Sequence, residues 1–132
     1  MDKRTLVEKD FREGALLVKE LDNANFPVHA ALWLYDLDRE CWRLIIASKS
    51  YDHTGPAKAY RSINDVLMEL RQNNQDYNID LSNIVFVRTN DRLIEILSTT
   101  IHTGPDKVAG IRFSRNAIEN YYIEDAYIYR IA

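Results

Sequence analysis

Apolar residues first recur at helical spacing between residues 5 and 22. Members of one stripe follow each other at intervals of four, four and three, which places them on one face of a helix. Charged residues of alternating sign fill much of the remaining surface, as is typical of a solvated face. Polar residues and a proline in the segment 23–27 end this helix. The stripe consists of Val7, Phe11, Ala15 and Val18.

Two segments rich in β-branched and aromatic residues follow, at residues 28–36 and 41–49. A short connection with polar residues joins them, so the pattern predicts a β-hairpin. Apolar side chains occupy both alternating sets of positions in each segment. We therefore expect both faces of the sheet to be covered, either by helices or by a second copy of the chain.

The rest of the chain alternates between helical and extended patterns. Helices are predicted at residues 56–72 and 91–101, with a short buried strand at 84–88 between them. Two more strands are predicted at residues 110–118 and 121–131, joined by a turn. The order α-β-β-α-β-α-β-β predicts an α+β fold, a mixed five-stranded sheet covered by about three helices.

Length and composition favour a single globular domain over residues 1–132. Hydrophobic residues make up 46% of the chain, enough for a buried core, and its few glycines and prolines form no linker. The net charge of −3 disfavours nucleic-acid binding, which usually requires an excess of basic residues. No apolar run approaches the roughly 18 residues that cross a bilayer, so no membrane association is expected.

Cysteine usage and the first residues indicate the compartment. The one cysteine, Cys41, cannot form an internal disulfide, which fits a reducing environment. The N-terminal residues are charged where a secretory signal peptide would carry an apolar segment. The expected location is the cytoplasm.

The four residues HTGP occur twice, at residues 53–56 and 102–105. The first copy precedes a predicted helix and the second follows one, which favours the same turn chemistry used twice over a structural duplication. At the first copy, free amides at a helix start and nearby basic side chains could hold a phosphate or carboxylate. The candidate anion- or ligand-binding residues in the loop 48–58 are Lys49, His53, Thr54, Gly55 and Lys58.

Catalytic motifs are incomplete. The three histidines lack the spacing of a metal-binding motif, and no cofactor motif is present, so neither a metal nor a cofactor is expected. The order helix, hairpin, helix, strand is similar to the core architecture of restriction-endonuclease-like nucleases. Asp36 or Asp38 would take the place of the strand aspartate in that core. There a strand aspartate and a (D/E)xK motif bind the metal. Here Ala47 occupies the position of the second carboxylate, two residues before Lys49, so the motif is broken.

Two neighbouring carboxylates, Glu124 and Asp125, lie in the last predicted strand. Consecutive strand residues point to opposite faces, so one carboxylate is expected to enter covered space. There it would form a buried polar pair with Arg112 or Arg130, or accept hydrogen bonds from tyrosine hydroxyls. A structural role is favoured over a catalytic or metal-binding one.

Four tyrosines occur in the same predicted strand, and they favour a binding role. Tyrosine is enriched in interfaces because it buries a large area and keeps a polar group. We expect a non-catalytic module that binds a protein partner or forms a homodimer. The alternative is an enzyme that binds or hydrolyses a small or phosphorylated ligand at the loop 48–58. The candidate interface residues are Tyr121, Tyr122, Tyr127 and Tyr129.

Overall fold

A computed structural model describes residues 8–132, and within them it contains four helices and five strands. This is the predicted α+β class with the predicted order of elements. Residues 5–7 of the first predicted helix lie outside the described part. The helices are α1 (Glu8–Asn23), α2 (Lys49–Thr54), α3 (Pro56–Asn73) and α4 (Arg92–Ser98). The strands are β1 (Ala30–Asp36), β2 (Cys41–Ala47), β3 (Ile84–Val87), β4 (Ile111–Ile118) and β5 (Tyr121–Ile131).

The five strands form one mixed sheet in the order β3-β2-β1-β5-β4. Strand β1 lies at the centre and pairs antiparallel with both β2 and β5. Strand β3 runs parallel to β2, which requires a crossover connection, and α2 and α3 supply it. The long strand β4 forms the opposite edge of the sheet.

Helices α1 and α3 cover one face of the sheet. Their inward residues recur at helical spacing, and from the sheet they meet alternate residues of β1, Ala31 and Trp33. Because these side chains leave water, the layer supplies a large part of the hydrophobic stabilisation. The helix residues that are fully buried here are Leu17, Val18, Leu21, Ala59, Ile63 and Leu67.

The other face is covered chiefly by the seven-residue helix α4. The remaining alternate residues of β1, Ala30 and Leu32, pack here against Leu93, Ile94 and Leu97. Both faces thus carry helices of the same chain. The tip of the β4–β5 hairpin also contributes, through its buried residues Ile118 and Ile123.

The segment predicted as the loop 48–58 is not a loop, because Lys49–Thr54 form the helix α2. Ser48 caps this helix, since its hydroxyl oxygen accepts a hydrogen bond from the Ser50 amide at 3.1 Å. Gly55 ends it, with a φ of 79° and an amide that donates to the Tyr51 carbonyl. A serine cap followed by a glycine six residues after the first helical position was the local signal for a short helix.

Candidate functional site

The two HTGP copies share a backbone feature but serve different connections. Gly55 and Gly104 have φ values of 79° and 90°, in the left-handed region that glycine favours. The first glycine separates α2 from α3, whereas the second lies between α4 and β4. Thr54 donates its hydroxyl proton back into α2, while Thr103 donates its amide proton to the end of β5. This arrangement agrees with one turn chemistry used in two settings.

The five candidate anion-binding residues separate in the structure. Lys49 lies at the start of α2 and lines a cavity of about 610 Å³, which we call the Lys49 cavity. His53, Thr54 and Lys58 are exposed and do not belong to its lining. The cavity instead includes residues that the sequence did not single out, from the end of α1, the segment before β1, the second HTGP turn and β5. They include Asp22, Phe26, His29, Pro105, Asp106 and Arg130.

The completely buried side chain of Arg130 forms one wall of the Lys49 cavity. Its two terminal nitrogens donate to the two carboxylate oxygens of Asp22 at 2.9 and 2.8 Å. Its Nε donates to the Lys107 carbonyl at 2.9 Å, and Nη1 also donates to the Val28 carbonyl at 3.2 Å. The planar guanidinium therefore joins α1, the segment before β1, the segment before β4, and β5.

Arg130 therefore does not pair with Glu124 or Asp125. Asp125 instead accepts two hydrogen bonds from Arg112 on β4, at 2.6 and 2.5 Å. These bonds raise the pKa of the Arg112 guanidinium further above its usual value. Glu124 accepts a hydrogen bond from the Tyr122 hydroxyl at 3.1 Å. The two adjacent carboxylates thus have separate partners and do not form one site.

An aromatic cluster surrounds Arg112 on the face covered by α1. Its guanidinium carbon lies 5.7 Å from the ring centre of Phe11 and 6.0 Å from that of Trp42. Phe11 in turn stacks on Tyr127 with ring centres 4.0 Å apart. Within residues 8–132, the buried Nε1 of Trp42 has no hydrogen-bond partner. The contacts hold the helix α1 on the sheet, so we assign this cluster a structural role.

The four candidate interface tyrosines do not form one surface. Tyr129 is buried, donates its hydroxyl proton to the Phe11 carbonyl at 2.6 Å and accepts from Trp33 Nε1 at 3.1 Å. Burial raises the pKa of this hydroxyl. Tyr127 and Tyr121 are half-buried, whereas Tyr122 is 52% exposed. Helix α1 covers the C-terminal half of β5, where Phe11 contacts Tyr127 and Tyr129. The exposed tyrosine surface of this strand therefore lies near the N-terminal end of β5.

A second opening lies between the tips of the β1–β2 and β4–β5 hairpins and has a volume of about 480 Å³. It stands at the end of β1 opposite the Lys49 cavity, because the cavity includes His29 and this opening includes Asp36. We call it the hairpin cleft. Its lining includes Asp36, Leu37, Asp38, Tyr121, Tyr122 and Glu124.

The hairpin cleft is negatively charged. Among the described residues that line it, three are carboxylates and none is lysine or arginine. The Asp36 carboxylate accepts from the amides of Asp38 and Arg39 at 3.0 and 3.2 Å, which fixes its orientation in the turn. Burial raises the pKa of Tyr121, and the negative charges of Asp91 and Asp36 raise it further. Arg43 Nη1 lies 3.9 Å from one Asp36 oxygen and offsets part of this charge, so Asp38 and Glu124 supply most of the attraction for cations.

The hairpin cleft also carries exposed apolar surface. Within residues 8–132 three large hydrophobic side chains are exposed: Leu37 at 50%, Met68 at 50% and Tyr122 at 52%. Leu37 and Tyr122 both line the cleft, whereas Met68 lies on the helix α3. Exposed apolar groups beside polar ones are a common feature of binding surfaces.

Residues 8–132 contain no group of three or more histidine, cysteine, aspartate or glutamate side chains arranged to hold a metal ion. No helix in the same range has the length and apolar character needed to cross a bilayer. No protein-family model, curated protein or solved structure matches the chain significantly.

Proposed function

We propose that this chain is a cytoplasmic, non-catalytic protein-binding module whose hairpin cleft receives a basic segment of a partner protein. One observation carries the proposal. Two of the three exposed large hydrophobic side chains among residues 8–132 occur in the same cleft as three carboxylates. That combination of apolar surface and negative charge matches the chemistry of lysine and arginine side chains.

Lysine and arginine fit this cleft because their side chains have two parts. The aliphatic stem packs on apolar surface, which Leu37 and Tyr122 provide, while the cationic head reaches a carboxylate. Asp38 is exposed at the tip of the β1–β2 hairpin and is available for that contact. The cleft volume of about 480 Å³ accommodates a few side chains of an extended or turning segment.

A separate partner is favoured over a second copy of this chain. The chain has a net charge of −3, so a second copy brings an excess of acidic residues to an acidic cleft. The long edge strand β4 carries Arg112 and Arg115, and Arg115 has a φ of 48°, which departs from strand geometry. Charged residues and irregular geometry on an edge strand oppose edge-to-edge pairing.

Binding to a labelled peptide of alternating lysine and leucine residues tests the proposal, with affinity measured by fluorescence anisotropy. Leu37→Ser removes apolar contact from the cleft and is expected to weaken binding by about tenfold. Met68→Ser is the matched control, because both side chains are 50% exposed and Met68 lies outside the cleft. Its affinity should equal that of the unmodified protein.

Light scattering in the same samples separates a partner from self-association. We expect a monomer before and after Leu37→Ser. A dimer that Leu37→Ser dissociates would overturn the proposal and assign the cleft to a homodimer interface. Equal weakening by Leu37→Ser and Met68→Ser, or no binding of the peptide, would also overturn it.

A further inference from the structure

We propose a second, independent site, in which the Lys49 cavity binds a small organic anion with an apolar body. It lies at the other end of β1 from the hairpin cleft and uses none of the residues that line the cleft. The two proposals are therefore independent, and a result against one leaves the other unaffected. The cavity volume of about 610 Å³ lies within the range of small-molecule sites.

Two side chains of the cavity have polar groups available to a ligand. The Lys49 ammonium group has no hydrogen bond or ion pair with any residue from 8 to 132, and the same holds for the half-buried His29 imidazole. Lys49 immediately follows the capping residue Ser48, so the start of α2 fixes its backbone at the cavity edge. An ammonium group at the edge of a partly apolar cavity attracts a carboxylate or a phosphate.

Arg130 provides a fixed guanidinium group in the same cavity lining. A guanidinium group has five N–H hydrogens. Four of these have acceptors within residues 8–132: two carboxylate oxygens of Asp22 and the carbonyls of Lys107 and Val28. One hydrogen on Nη2 remains, and the other contacts hold the group rigidly. The guanidinium group lines the cavity in a position that these contacts already fix, so a bound anion needs no rearrangement of Arg130.

The remaining lining residues define the rest of the ligand. Phe26, Val28 and Pro105 supply apolar surface that suits an aromatic or aliphatic body. Asp22 is neutralised by Arg130, while the exposed Asp106 adds a negative charge to the cavity lining. The ligand therefore carries few negative charges, and a carboxylate or a phosphate monoester on an apolar group satisfies these conditions.

The test uses three probes of similar shape: benzoate, phenyl phosphate and the neutral amide benzamide. Two-dimensional NMR follows the backbone amides of Val28, His29 and Lys49 during titration of the whole chain. Saturable shifts with benzoate, phenyl phosphate or both, and none with benzamide, are expected. The stronger of the two anionic probes identifies the preferred head group. Equal responses to benzoate and benzamide, or shifts that do not saturate with either anion, would overturn the proposal.

A matched pair of variants then ties the binding to Lys49. Lys49→Gln removes the ammonium group and should weaken binding of the preferred anion by about tenfold, the effect of losing one charged hydrogen bond. Lys58→Gln removes the same charge from α3, outside the cavity lining, and should leave the affinity unchanged. Both side chains are exposed, and retained NMR spectra verify the fold. Equal losses in both variants would mean that overall charge causes the effect, which contradicts the site.

Discussion

The two ends of the central strand β1 handle charge in opposite ways. At the Lys49 cavity, the Asp22 carboxylate is neutralised by Arg130, whose side chain is only 1% exposed. At the hairpin cleft, about 20 Å away along the strand, Asp38 is exposed at the turn, whereas the half-buried Asp36 lies at the end of β1. Arg43 Nη1 lies 3.9 Å from an Asp36 oxygen, a longer contact, with a more exposed arginine, than the Arg130–Asp22 pair at 2.8 Å. The first arrangement holds the fold together, and the second leaves charge available for a partner.

This difference predicts that charges at the Lys49 cavity affect stability, whereas charges at the hairpin cleft affect binding. Removing one member of a buried ion pair leaves polar groups without partners, which destabilises the protein. Removing an exposed charge changes the free energy of unfolding little but alters the attraction of a charged partner. Changes at the two ends of β1 should therefore appear in different measurements.

The largest expected effect is the loss of Arg130. Arg130→Met removes the partner of Asp22 and the donors to two backbone carbonyls. Because the Asp22 side chain is 36% exposed and regains some hydration, we expect a loss of about 3 kcal/mol in the free energy of unfolding, measured in urea. Arg112→Met breaks the more exposed pair with Asp125 and should cost about 1 kcal/mol or less. Equal losses would remove the distinction between buried and exposed pairs.

The second-largest effect is expected at high pH, in the layer between the sheet and the helices α1 and α3. Burial raises the pKa values of Tyr77 and Tyr129, so both stay protonated in the folded chain when the unfolded chain ionises near pH 10. Their contribution is complete below that pH and is lost as the pH rises, by about 1.4 kcal/mol per residue and pH unit. Urea unfolding at increasing pH measures this slope. Tyr129→Phe should reduce it, and an unchanged slope would contradict the assignment.

The smallest expected change in stability belongs to the hairpin cleft. Leu37→Ser and Asp38→Asn alter exposed side chains in a turn, so each should change the free energy of unfolding by less than about 0.5 kcal/mol. The same urea measurement tests this expectation. A loss comparable to that of Arg130→Met would show that the cleft residues support the fold and would break the comparison between the two ends.

Local periodicity predicted the elements well because it records which side of a helix or strand is buried. The stripe of α3 includes Ile63, Leu67 and Leu70, and all three are buried. The short helix α2 escaped prediction because six residues are too few to display a helical stripe. Its serine cap and terminal glycine were the available signals.

The sites depend on long-range pairing, which the sequence records weakly. Asp22 and Arg130 are 108 positions apart, and no local pattern joins them. An arginine among apolar residues near the end of the last strand was the available signal for a buried cation, but the predicted partners of Arg130 were Glu124 and Asp125 only. The hairpin cleft needs the tips of two hairpins side by side, and only the antiparallel pairing of β1 with β5 brings Asp36 near Glu124.

A charge-reversal experiment tests the binding role of the hairpin cleft most directly. It compares affinities for the lysine–leucine peptide and for a glutamate–leucine peptide of equal length, at one ionic strength. The unmodified protein should prefer the basic peptide, and Asp38→Lys should reduce that preference by about tenfold. Asp65→Lys, an equal change of net charge on α3, should leave it unaltered. Equal changes of preference in the two variants would contradict recognition at the cleft.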